Sequence, residues 1–294
     1  MSSSVSVNEQ NYNKPSTGSY VGGVLAGSAI QISTNQFGGG LINLPIINKM
    51  TKIGSSLTED EFSKVEQAIE ETMKTSGLEE KGLSILGATE NNVEEVSQIF
   101  RNEFDNNVII KHLMPKKVKE EKHIQPAVEA IVKGKNAVFA FVDNKIILPG
   151  NKKLDIAFFH EAGHAMNAHM STIGKMLKKG RAAALLGTPI FWVALFKDKK
   201  APDEKPKNTL DKITTFIKDH AGILTSVLFI PTILEEGLAT HKGNSFAKKL
   251  LSPDLAKKVK KLNGFGLATY IVTAIACGLG VHFGKKVRDS IVGN

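Results

Sequence analysis

The sequence predicts an α+β fold, mostly helical, in which a small β-sheet lies beside one motif-bearing helix and apolar helices follow. Three patterns lead to this expectation. Apolar residues recur at helical spacing before residue 105, and composition turns strand-like near 137–149. Three uncharged runs, 182–196, 221–234 and 264–284, then crowd the C-terminal half. With 294 residues, 41% of them hydrophobic, the chain is long enough to bury a substantial core.

Taken in order, residues 1–54 are rich in Ser, Asn and Gly and carry few charges, the composition of a flexible leader. Within them, Tyr20–Ile30 is mildly apolar and suited to touching a membrane or the folded body. Thr58 and Glu61 have capping-box spacing, and Phe62, Val65, Ala68, Ile69 and Met73 then repeat at helical intervals up to a stop at Gly77. A second amphipathic helix is expected over about 91–104, with Val93, Val96, Ile99 and Phe100 on its apolar face. Residues 137–142 and 145–149 read as two strands joined by a tight turn at Asp143-Asn144, Pro149 marking an edge strand or its exit. Gly150-Asn151 then breaks the chain before a helix that starts near Lys153. The expected organisation is thus a leader (1–54), a central domain (55–245) and a C-terminal segment (246–294) holding the run 264–284.

The helix 154–170 contains His160-Glu161-Ala162-Gly163-His164. Side chains four residues apart share a helical face, so both imidazoles can reach one cation about 2.0–2.1 Å from each nitrogen. Glu161 between them is placed to act as general base on a water at the metal. The motif follows directly on the strand pair, whose outer edge is suited to aligning a peptide by strand addition. A catalytic zinc needs a third protein ligand and an open position. The extended zinc signature is excluded, because Asn167 and Met170 stand where it requires Gly and His. The segment Leu234–Thr240 offers two carboxylates, Glu235 and Glu236, directly after an apolar run, a costly place for charge without a cation or partner.

This combination resembles the gluzincins, whose third ligand is a glutamate on a second helix. In their register a small residue follows the ligand by three positions, which selects Glu236 with Ala239 over Glu235 with Leu238. The chain looks most like the integral-membrane endopeptidase family that includes HtpX and the CAAX prenyl proteases. The resemblance covers roughly 130–245 and rests on His169 five residues after His164, on Glu236 72 residues beyond His164 with apolar segments between, and on Gly243. It implies a zincin-like helix with Zn2+ held by His160, His164 and Glu236, Glu161 as catalytic base, and a peptide or protein substrate. His169 and Thr240 become candidates for supporting the ligands, Thr240 standing where the family usually has aspartate. His220 and His241 flank the second apolar run and are candidates for stabilising an oxyanion.

The net charge of +9 is not matched by a zinc finger, an RNA-recognition motif or a basic stripe interleaved with aromatics, so no nucleic-acid partner is expected. Basic residues instead bracket the apolar run 264–284: Lys257, Lys258, Lys260 and Lys261 before it, Lys285, Lys286 and Arg288 after it. Its 21 residues are enough to cross a hydrocarbon core of about 30 Å, whereas runs of 15 and 14 residues suit buried or re-entrant helices bent at Pro189 and Pro231. A membrane partner with the active site facing the cytoplasm is the expectation, a cytoplasmic protein the alternative. Seven lysines between 197 and 218 leave orientation open. The single Cys277 permits no intrachain disulfide. In function the rival to a zinc endopeptidase is a non-catalytic, zinc-stabilised membrane-anchored scaffold or pseudopeptidase.

Overall fold

The computed structural model describes residues 16–36, 41–106, 116–151, 155–198 and 204–293. The mostly helical α+β expectation holds, with 81% helix and one three-stranded sheet among the described residues. The leader expectation is corrected where it can be compared: α1 (Thr17–Gln36) and α2 (Asn43–Gly54) are helices, while 1–15 and 37–40 lie outside the described residues. Glycines that suggested looseness serve instead as close-packing positions for α1. Helix α3 (Glu59–Thr75) begins with the anticipated capping box, Thr58 accepting from the Glu61 N–H and Glu61 from the Thr58 N–H.

Strand β1 (Ser84–Ala88) and helices α4 (Val93–Asn106) and α5 (Gln125–Val132) come before the hairpin of β2 (Val138–Ala140) and β3 (Lys145–Pro149). The hairpin turns at Asn144, whose φ of 52° is a left-handed conformation that Asn tolerates well. Sheet order is β1-β3-β2, with β1 parallel and β2 antiparallel to β3. The edge expectation for Pro149 is therefore corrected: β3 is central, and Pro149 ends it opposite Ala88. Ile146 and Leu148 pack with α3 and the motif helix, whereas Ile147 joins Val96, Ile99, Val128 and Ile131 on the other face. Burial on both faces explains the unbroken Ile-Ile-Leu run.

The motif helix is α6 (Phe158–Met170), entered through a 3-10 turn at Asp155–Ala157; the expected start near Lys153 lies outside the described residues. Next come α7 (Thr172–Gly180), a 3-10 stretch Arg181–Leu186, and α8 (Gly187–Phe196). Helices α9 (Thr209–Val227) and α10 (Ile230–Leu250) divide the run 221–234 between them, with Pro231 in the first turn of α10. The run 264–284 is the middle of α11 (Pro253–Val292), 40 residues long. The first part of α11 buries Leu255, Val259 and Leu262 in the core of α3 and α6. Its second part packs with α1, α8 and α9 through Val281, Val24, Phe191, Leu195 and Ala221.

Candidate metal centre

The site forms where α6 crosses α10. On α10, Glu236, Ala239, Thr240 and Gly243 fall on one face by helical spacing. On α6, the facing residues are Phe159, His160, Gly163 and His164. A Cβ on Gly163 would lie 2.1 Å from the Ala239 carbonyl oxygen, and one on Gly243 would lie 2.1 Å from that of Phe159. Two absent side chains thus let the backbones touch. This approach carries the carboxylate of Glu236 to the imidazole pair.

The three ligand atoms form a near-equilateral triangle. His160 Nε2 stands 3.1 Å from Glu236 Oε2 and 3.1 Å from His164 Nε2, and the third side, His164 Nε2 to Glu236 Oε2, is 3.2 Å. A tetrahedral ion with bonds of about 2.0–2.1 Å sets its ligands roughly 3.3–3.4 Å apart, so the donors fit zinc closely. They form the only such cluster of His, Cys, Asp or Glu among the described residues. Glu236 is 0% exposed, and a carboxylate so deeply placed demands cationic partners.

Glu235 takes a different part from its neighbour. Its Oε1 lies 2.9 Å from His164 Nδ1 and accepts from Asn167 Nδ2 at 2.9 Å, while Arg181 donates to its Oε2 at 2.8 Å. It therefore fixes the ring whose other nitrogen faces the metal position. Thr240 Oγ1 lies 3.3 Å from His160 Nδ1, on the side of that ring away from His164. Arg181 reaches Glu236 as well, at 3.2 Å from Oε1, leaving Oε2 toward the imidazoles. Burial disfavours a charged His164, but its hydrogen bonds to Glu235 and Glu236 outweigh that and raise its pKa to about 10.

The cluster opens into a cleft of about 870 Å³, lined by β2, α2 and the middle of α11. Glu161 lines it and accepts a 2.7 Å hydrogen bond from the Phe139 N–H on the unpaired edge of β2. Burial pushes the Glu161 carboxyl up, partly offset by the two imidazoles. Tyr270, from α11, stands on the cleft wall beside Glu236, with the Arg181 guanidinium 5.8 Å from its ring centre.

His169 reaches neither ligand ring. It bonds Asn144 at 2.8 Å and stacks on Phe141, bracing the hairpin turn. His220 stacks on Phe216 and bonds its carbonyl, and neither His220 nor His241 lines the cleft. Among the polar groups that do line it, Tyr270 and Arg181 carry no signal in the sequence. Tyr270 sits inside an apolar run that reads as a span, and Arg181 among basic residues of a surface helix. No family model, curated protein or solved structure matches the chain. Two helical stretches, Thr209–Leu250 and Pro253–Val292, are long and apolar enough to cross a membrane. Their apolar windows are only 28% buried, where a core helix of a soluble protein is mostly buried.

Proposed function

We propose that the chain is a membrane-associated zinc endopeptidase of gluzincin type, related in its motifs to HtpX and the CAAX prenyl proteases. The observation that carries this reading is the triangle of His160, His164 and Glu236 donors beside the Glu161 carboxylate. When bound, zinc supplies Lewis acidity at a carbonyl and lowers the pKa of a water. Glu161 would take the proton of the attacking water as its oxygen adds to the scissile carbonyl carbon. It then passes the proton to the amine nitrogen as the C–N bond breaks. Tyr270 lines the cleft beside Glu236, and its hydroxyl would donate to the oxygen that gains charge. The outer edge of β2, once Glu161 releases the Phe139 N–H, would hold the peptide by strand addition. The partly exposed apolar helices support a membrane location; that the metal site faces the cytoplasm is part of the proposal.

The test is Glu161→Gln in the full chain. Zinc content should stay stoichiometric while cleavage of unfolded or membrane substrates is lost; undiminished cleavage refutes the mechanism. One observation favours the second reading, a non-catalytic zinc-stabilised scaffold: the carboxylate needed as base is tied to the Phe139 N–H. Stoichiometric zinc in a wild-type chain that cleaves nothing would establish that scaffold.

A further inference from the structure

Helix α2 carries more apolar surface than its packing uses. It is held on α11 by Asn43 Nδ2 donating to Thr273 Oγ1 at 3.2 Å and by Lys49 lying 5.8 Å from the centre of the Phe265 ring, while Met50 and Ile53 at its far end pack against the main core. With these contacts as its anchor, Leu44 remains 50% exposed and Ile47 and Met50 only half-buried. All three line the cleft that contains the metal cluster, together with Phe229 from the turn before α10. They are spaced three residues apart, so they form one continuous stripe. No acidic or basic side chain of α2 lines the cleft.

The same cleft is bounded by the outer edge of β2, with Val138, Phe139 and Phe141 along it and the Phe139 N–H engaged by Glu161. A peptide added to that edge sends alternate side chains to opposite faces. One set then meets the α2 stripe. An apolar side chain seated on the α2 side leaves water, whereas a charged one there loses hydration with no charged group of α2 to meet it, Lys135, Lys178 and Arg181 lying on other walls of the cleft.

We infer that α2 forms a specificity wall, and that Leu44, Ile47 and Met50 select substrates with a large apolar side chain close to the scissile bond. This rests on the peptidase reading and adds what that site chooses. The residues responsible come from the N-terminal segment, outside the part of the chain that carries the zinc motif.

The experiment uses the full chain loaded with zinc and internally quenched peptides that differ only at positions flanking one bond, carrying Leu, Phe, Ala, Asp or Lys. Wild type should cleave the Leu and Phe peptides with kcat/KM about tenfold or more above the Asp peptide. Ile47→Lys should lose that preference and gain on the Asp peptide, and a gain cannot come from misfolding. Leu44→Ala should weaken binding of the Leu peptide to a Glu161→Gln background, read by fluorescence anisotropy, without changing zinc content. Cleavage by wild type with no apolar preference, or an unchanged Ile47→Lys profile, overturns the wall and leaves the peptidase standing. An unchanged profile joined to loss of liposome binding assigns the stripe to lipid and equally overturns it. Failure of wild type to cleave any peptide refutes the peptidase and the wall together.

Discussion

Gly163 has the Ala239 carbonyl oxygen where its own Cβ would be, 2.1 Å from that position. The contact joins the centre of the histidine motif to the residue three places beyond Glu236, so helix spacing and ligand geometry are set together. Gly163→Ala must push α6 and α10 apart, and overpacking of this kind costs about 1–3 kcal/mol. Zinc affinity in a chelator competition should fall about tenfold or more, and the melting temperature should drop with it. Gly243→Ala, facing the Phe159 carbonyl oxygen, should do the same. Unchanged affinity in both variants would contradict the packing account.

Glu235 and Glu236 are neighbours with separate tasks, and substitution should separate them. Glu236→Ala removes a ligand and should abolish stoichiometric zinc. Glu235→Ala leaves the ligands but frees the His164 ring and leaves Arg181 only Glu236 as a carboxylate partner, so affinity should fall about 10–100-fold. Glu235→Gln keeps an acceptor for one partner and should fall less. Equal losses for Glu235→Ala and Glu236→Ala in a zinc titration would assign both carboxylates to the metal.

Local signals were legible in the sequence, and relations between distant segments were not. The Thr58–Glu61 box, the turn at Asp143-Asn144 and the histidine pair each act within a few residues, and each appears as expected. Strand β1 was invisible because its five residues contain a glycine and pair with β3 residues 61 positions on, without a hairpin turn to announce them. Helix α1 read as a loose leader because Gly23 and Gly27 acquire meaning only from α11: a Cβ on Gly27 would stand 2.6 Å from the Gly284 carbonyl oxygen. The choice of Glu236 came from a family register, since composition offered both acids equally. The support given by Glu235 depends on Asn167 and Arg181, which only the fold brings to it.

Lys178 packs its ammonium 3.3 Å from the centre of the Phe141 ring, with Glu103 nearby. Desolvation dominates there and lowers its pKa to about 8, Glu103 only partly opposing it. The unfolded chain releases that proton near 10.4, so between these values the unfolded state binds more protons and stability rises with pH. Below pH 8 the folded state carries the full penalty. Lys178→Met should therefore melt higher than wild type at pH 7, by the equivalent of about 1–2 kcal/mol after allowing for solvent screening. The gap should narrow from pH 8 to 10. A gap that stays constant over that range, followed by calorimetry, would show that the lysine is not the titrating group.

The second half of α11 has two kinds of surface, and they should fail differently. Gly278 faces α9, where a Cβ would stand 1.9 Å from Ser226 Oγ and 2.6 Å from the Gly222 carbonyl oxygen. Small residues at such crossings let apolar helices associate closely. Leu279, 45% exposed, points away from that crossing. Gly278→Leu should leave the chain in the membrane fraction, because its outward apolar surface is untouched. It should nevertheless lower the melting temperature in detergent and, since α9 leads into α10, reduce zinc content. Leu279→Arg should leave the helix crossing intact but put a charge on the outward face, a penalty of about 2.5–3.5 kcal/mol at a helix centre in a bilayer. Its expected result is weaker membrane partitioning with zinc retained in the detergent-solubilised protein. Carbonate extraction and zinc analysis of the two variants side by side decide the matter. A wild-type chain found in the soluble fraction would refute the membrane location while leaving the metal centre intact.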